Sequence, residues 1–236
     1  MIKTVIFDLD GTLLDTIADL GASINEALVS RGFTKLSDSI FPSLVGYGAR
    51  NLCERAYYLS VGMKYDKESI EAGIEPDHHG LISEILKDFR ENYRKNINVK
   101  TKPYNGVSEM IEQMKIRDIK LNVLSNKPDH FTKMLVMHHF GKGVFSEIMG
   151  ESDKFPRKPD PSAALYILGS NGSDPGESVL IGDGDSDIMT ARAAGMNSIA
   201  VLWGYRGFQE LKEAGAESFA SYPGDILELL KTDFNV

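Results

Sequence analysis

With 236 residues, 42% hydrophobic and 25% charged, the chain can bury one large core or two small ones. Its formal net charge of −8 argues against nucleic acid or an anionic membrane as a partner, and the lone Cys53 excludes an intramolecular disulfide. The apolar stretch before Asp8 is too short for a secretory signal, and no run approaches the roughly 20 apolar residues of a membrane span. The chain therefore reads as a soluble cytoplasmic protein.

In chain order, the first element is a buried strand, Thr4 to Phe7, β-branched and aromatic throughout. It runs into Asp8-Leu9-Asp10-Gly11-Thr12. From about Asp15 to Lys100 the apolar spacing is helical. Ile17, Leu20, Ile24 and Leu28 form one stripe, which Arg31-Gly32 ends, and Leu81, Ile85 and Phe89 form another beside Ile82, Leu86 and Tyr93. From Pro103 the rhythm changes to strand and helix in alternation. A helix carries Val107, Met110, Ile111 and Met114, and a strand spans Ile119 to Leu124. Next come a helix from Asp129 to His138, a strand from Phe145 to Met149 and a helix from Ser162 to Leu168. A strand from Ser178 to Ile181, a helix from Asp187 to Ala194 and a strand from Ser198 to Leu202 complete the pattern.

Such alternation predicts an α/β fold, a Rossmann-like parallel sheet with helices on both faces. The core comprises residues 1–14 and 101–236. A small all-helical cap domain, residues 15–100, is inserted after the first strand, directly beyond Thr12. An insert of that size beside the chemistry is placed to cover it. Ligands of open parallel sheets bind at the carboxyl ends of the strands, where the polar motifs of this chain fall.

Two carboxylates two residues apart, Asp8 and Asp10, are costly at a strand end unless a cation or a proton lies between them. Gly11 permits the sharp turn that follows. Asp-x-Asp-Gly-Thr arises by chance in a chain of this length with a probability on the order of 10⁻³. Ser125 and Asn126 end a strand and can donate to a phosphate oxygen, although Ser-Asn-Lys-Pro is also an ordinary turn. Lys158, before Pro159, can neutralise a phosphate as a point charge or lie solvated ahead of a helix. Asp183, Asp185 and Asp187 follow the strand that ends at Ile181. A carboxylate there can ligate Mg²⁺, and Asp187 also suits the first turn of a helix. No Glu follows at the spacing of an EF-hand loop.

Together these segments resemble the haloacid dehalogenase superfamily of phosphatases and phosphotransferases over nearly the whole chain. Phe7 to Thr12 is similar to its first motif, Ser125 to the second, Lys158 to the third and Gly182-Asp183 through Asp187 to the fourth. The helical insert resembles the small cap of the superfamily's first class. Within it, Val45 to Ala56, Pro103 to Val107, Ser125 to Pro128 and Trp203-Gly204-Tyr205-Arg206 are similar to the phosphoglycolate phosphatases. Gly184 stands where that family usually carries Ser or Thr, so position 184 offers no side-chain hydroxyl. The resemblance implies Asp8 as nucleophile and Asp10 as general acid and base, kept protonated for the first step. It implies Mg²⁺ on the Asp8 carboxylate, the Asp10 carbonyl and Asp183. Thr12, Ser125, Asn126 and Lys158 would bind phosphoryl oxygens, with Asp187 orienting Lys158 or the metal shell. In the cap, Arg50 is the candidate for the non-phosphate end of the substrate.

The expected partner is a small phosphorylated metabolite, with 2-phosphoglycolate leading and pyrophosphate, nucleotides and sugar phosphates behind it. The expected assembly is a monomer or homodimer. Three other functions compete. A sugar-phosphate mutase, of the β-phosphoglucomutase kind, would share Asp8 and Asp10. A dehalogenase has no use for Asp10. A silent phosphate binder would bind without turnover. His78-His79 and His138-His139 read as surface or helix residues, Cys53 as packing, and Trp203 as an aromatic at the cleft edge.

Overall fold

A computed structural model describes residues 2–63 and 80–232. His78 and His79 lie outside the described residues. The chain divides into two compact units, Met1–Asp15 with Lys102–Val236, and Thr16–Thr101.

The first unit is built on six strands: β1 (Thr4–Phe7), β4 (Lys120–Pro128), β5 (Glu147–Glu151), β6 (Ser178–Gly182), β7 (Asn197–Val201) and β8 (Phe219–Ala220). All neighbours run parallel, in the order β5-β4-β1-β6-β7-β8. Phe7 lies in register with Val123 on one side and Ile181 on the other. Every residue of β1 is buried, as a strand covered on both faces must be. On one face Ile6, Leu124 and Leu180 meet α7 (Ser162–Asn171) and α8 (Asp185–Ala194) through Ala164, Ile167 and Ala191. Val5 and Phe7 point the opposite way by the two-residue period of a strand. Helices cover that face too. Among them α5 (Val107–Ile116) buries Val107, Met110, Ile111 and Met114, and α10 (Pro223–Thr232) buries Ile226 and Leu230. Burying one such side chain contributes roughly 1.5–3 kcal/mol.

The strand order places the switch in direction at β1, with β4 on one side and β6 on the other. A crevice opens at the carboxyl ends of strands at such a point. Three departures from the sequence reading matter for it. First, β4 runs on through Ser125, Asn126 and Lys127 to Pro128, with an irregularity after Leu124. These polar residues look like a turn in sequence, but all three are buried and find partners inside. Second, α8 (Asp185–Ala194) starts two residues early, because Asp187 in its first turn accepts the Gly184 N–H at 3.0 Å. Third, the helical insert does not follow Thr12 directly. A short antiparallel ribbon, β2 (Leu14–Asp15) with β3 (Lys102–Pro103), comes between.

The second unit contains α1 (Ile17–Val29), α2 (Phe41–Leu44), α3 (Ala49–Ser60) and α4 (Leu81–Asn96). Leu20, Ile24 and Leu28 of α1 and Ile82, Ile85, Phe89 and Tyr93 of α4 are buried, as their spacing predicts. Cys53 is buried in α3, and burial pushes its thiol well above the usual range. Asp19 is buried in the first turn of α1 and accepts the N–H groups of Lys100 and Thr101 and the Thr101 hydroxyl. That satisfies an otherwise costly carboxylate and ties the two ends of this unit together. His138 and His139 lie in the last turn of α6 (Asp129–Phe140). No helix among the described residues is long and apolar enough to cross a membrane.

Candidate active site

The site begins where β1 ends. The Asp8 N–H still pairs with the Ile181 carbonyl (2.9 Å), so the residue is held by the sheet. The chain then folds on itself, with Thr12, Leu13 and Leu14 all donating to the Leu9 carbonyl. Gly11 makes this possible at φ +90°, and a Cβ there would come within 2.3 Å of the Asp183 carboxylate. The resemblance implies that Thr12 binds phosphate. Its hydroxyl donates to Asp183 Oδ1 at 2.9 Å, and its N–H goes to Leu9. A buried carboxylate is a strong acceptor, and the turn at Gly11 lays Thr12 beside it.

Lys158 comes from the segment before α7, and its side chain is 2% exposed. Its Nζ lies 2.6 Å from Asp187 Oδ1, 2.9 Å from the Leu124 carbonyl and 2.9 Å from Asp8 Oδ1. Burial pulls the lysine down, but Asp187 and Asp8 outweigh it and hold the group above its ordinary range. The contact with Asp8 is an ion pair off the hydrogen-bond direction, and Asp8 Oδ1 is buried without a hydrogen bond. Asn126, expected to meet phosphate, brackets the lysine. Its amide oxygen accepts the Lys158 N–H (2.9 Å) and its amide nitrogen donates to the Lys158 carbonyl (3.1 Å). Ser125 is buried, and its hydroxyl oxygen accepts the Lys127 N–H at 3.3 Å.

Asp8, Asp183 and Asp187 each offer an oxygen within 4.8 Å of the others. Crowding has its usual effect on such acids. Burial, then Asp8 and Asp187, push Asp183 up to about 7. Burial also pushes Asp187 up to about 6, against the pull of Lys158.

Asp10 faces a residue that sequence reading passes over. Lys127 Nζ donates to both Asp10 oxygens, at 2.9 and 3.0 Å, from a side chain that is 3% exposed. Both Asp10 oxygens therefore lie within hydrogen-bond reach of one buried ammonium group. The available signal was a lysine directly after Ser125-Asn126, but its partner lies 117 residues away in the chain.

The profile of the haloacid dehalogenase-like hydrolase family matches residues 5–201. The chain belongs to that family. It is similar to the phosphoglycolate phosphatase of Mesorhizobium japonicum, 32% identical over 85% of this chain and 83% of that one. The phosphoglycolate phosphatase of Psychrobacter arcticus is 29% identical over 97% of this chain and 96% of that one. A crystal structure from Lactobacillus delbrueckii subsp. bulgaricus superposes with a TM-score of 0.89 at 30% identity, over 97% of this chain and 98% of that one.

In this haloacid dehalogenase-like hydrolase the strand ends carry four carboxylates, Asp8, Asp10, Asp183 and Asp187, against the ammonium groups of Lys127 and Lys158. With all of them charged, two negative charges are left over. A hard divalent cation among carboxylate oxygens fits that excess, and it fits the unsatisfied Asp8 Oδ1. The second unit holds Arg50 on the exposed side of α3, where it donates to Ser83 Oγ at 3.1 Å.

Proposed function

We propose that the chain is a Mg²⁺-dependent phosphatase that cleaves a small phosphate monoester through an aspartyl phosphate on Asp8, with 2-phosphoglycolate as the leading substrate. The observation that carries this reading is Asp8 itself. It is a carboxylate at the end of the central strand, paired with a buried lysine and presenting an oxygen that accepts no hydrogen bond. The names of the relatives from Mesorhizobium japonicum and Psychrobacter arcticus support phosphoglycolate as the substrate.

The carboxylates of Asp8 and Asp183 and the main-chain carbonyl of Asp10 would hold Mg²⁺. When bound, it supplies positive charge that lets an anionic nucleophile meet an anionic ester. Asp8 attacks phosphorus in line, the P–O bond to the leaving alcohol breaks, and Asp10 gives that oxygen its proton. Asp10 then takes a proton from water, whose oxygen attacks the phosphorus of the aspartyl phosphate and returns Asp8 to its free form. Lys127, which donates to both Asp10 oxygens, fixes the place from which Asp10 gives and takes that proton. Lys158 balances charge on Asp8 and the transferring oxygens, and Ser125 adds a hydroxyl donor. Thr12 and Asn126 act through Asp183 and Lys158. Asp187 fixes the Lys158 ammonium. Arg50 takes the carboxylate end of the substrate.

Phosphate release from phosphoglycolate, pyrophosphate, hexose phosphates, nucleoside monophosphates and an aryl phosphate tests this, with Mg²⁺, with a chelator and with Asp8→Asn. Release from phosphoglycolate is expected to require both Mg²⁺ and Asp8. Appreciable turnover by Asp8→Asn would remove the nucleophile. Isomerisation of a hexose 1-phosphate without release would make the chain a mutase. Arg50→Ala should raise KM for phosphoglycolate and not for the aryl ester, and an unchanged KM for phosphoglycolate would remove Arg50.

A further inference from the structure

Asp183 is held from two directions. Thr12 donates to its Oδ1, as described, and the main-chain N–H of Tyr205 donates to its Oδ2 at 2.8 Å. Tyr205 belongs to the segment that leaves β7 (Asn197–Val201), two residues after Trp203. The Trp203 indole N–H donates to the Thr12 carbonyl at 3.0 Å. The three bonds close a ring: Thr12 holds Asp183, Tyr205 holds Asp183, and Trp203 holds Thr12. Three separate strand ends, those of β1, β6 and β7, are thereby fixed to one another around a single carboxylate.

Gly204 sits in the middle of this segment. A Cβ on Gly204 would lie 2.3 Å from Asp183 Cβ and 2.5 Å from the Gly11 carbonyl oxygen. Neither of those atoms is the far end of a flexible chain, so any side chain at 204 must displace Asp183 or the nucleophile loop. Gly204 is absent from the positive-φ positions, so the obstacle to a side chain is steric and not conformational. Gly11 closes on the same carboxylate from the nucleophile loop, so Asp183 lies between two glycines.

We propose that Trp203-Gly204-Tyr205 is a positioning element of the active site, fixing Asp183 in the orientation that cation binding needs, and that the Trp203 indole reports that binding. The proposal rests on the reading of Asp183 as a ligand of a divalent cation. Trp203 is the only tryptophan of the chain, so its emission comes from this ring alone.

The test is Mg²⁺ titration of the full-length protein, followed by calorimetry and by tryptophan fluorescence. In the wild type the emission should change saturably, with the same Kd as the heat. Gly204→Ala should lower the melting temperature, as overpacking does, and weaken Mg²⁺ binding tenfold or more. Its phosphate release should recover as Mg²⁺ is raised, a rescue that general damage to the fold does not give. Trp203→Phe keeps the ring packing, loses one donor and should weaken Mg²⁺ by a few fold, which keeps the test open if Gly204→Ala does not fold. Wild-type affinity in the folded variants, or a loss that high Mg²⁺ does not rescue, would overturn the positioning role. An emission blind to Mg²⁺ that calorimetry sees bind would overturn the reporter. Asp183→Asn separates the two failures. If it abolishes Mg²⁺ binding while Gly204→Ala does not, only the positioning role falls. If it too leaves binding intact, the cation reading falls with it.

Discussion

The two sides of the candidate site handle charge differently. Around Asp8, three carboxylates crowd one ammonium group, and burial with crowding pushes Asp183 and Asp187 above the usual carboxylate range. Around Asp10, one carboxylate meets one ammonium group and the charges balance. An unbalanced cluster calls for a further cation, whereas a balanced pair holds an acid in a fixed place. In the proposed function the Asp8 side binds the metal and the Asp10 side moves the proton, a division of labour that substitutions can break.

The largest effect is expected on the unbalanced side. Lys158→Met leaves the buried Asp187 and the half-buried Asp8 without their cation. It should cost about 3–5 kcal/mol of stability, and kcat should fall by about 10²-fold or more. Adding Asp187→Leu should restore much of the stability, measured by urea unfolding, and none of the activity. If the double variant regains turnover, Lys158 is a structural counter-ion only.

Lys127→Met should have a smaller effect. Asp10 is less deeply buried than Asp187, so the fold should tolerate the change. The expected result is a fall in kcat of roughly 10- to 100-fold, within the range of general acid and base effects, with KM and Mg²⁺ affinity unchanged. Loss of Mg²⁺ binding in Lys127→Met would mean that the two sides are one unit and end the comparison.

The smallest effect concerns pH. The folded-state pKa of Asp183, about 7, lies above the ordinary carboxylate value. Its contribution to stability is therefore full below about pH 4 and lost as pH rises through 7. In chelator the carboxylate cluster weakens the fold at high pH, and a bound cation offsets that repulsion. The rise in melting temperature on adding Mg²⁺ should thus be larger at pH 8 than at pH 5.5. A rise independent of pH would place the cation elsewhere.

Much of this architecture could be read from the chain. Apolar runs such as Thr4 to Phe7 and Ser178 to Ile181 end in acids, and that pattern alone marks strand ends that carry chemistry. The stripes of α1 and α4 likewise announce their buried faces. Sequence names a donor without naming what receives the bond. Thr12 and Asn126 were legible as polar residues at the right place, but not as the holders of Asp183 and Lys158. Lys127 and Trp203 lie 117 and 191 residues from the groups they hold, and no local periodicity encodes such a pairing. The strands β2 and β8, two residues each, are too short to show a period at all.

The β2–β3 ribbon has a consequence for how this protein could be rebuilt. Asp15 pairs with Lys102 and Leu14 with Pro103, so the chain leaves the sheet unit and returns to it at neighbouring positions of one antiparallel ladder. A gap of that width is what a two-residue hairpin turn spans. The insertion point is a socket: a module whose two ends lie close together can be exchanged there, or replaced by a bare turn, without redrawing the strand that carries Asp8.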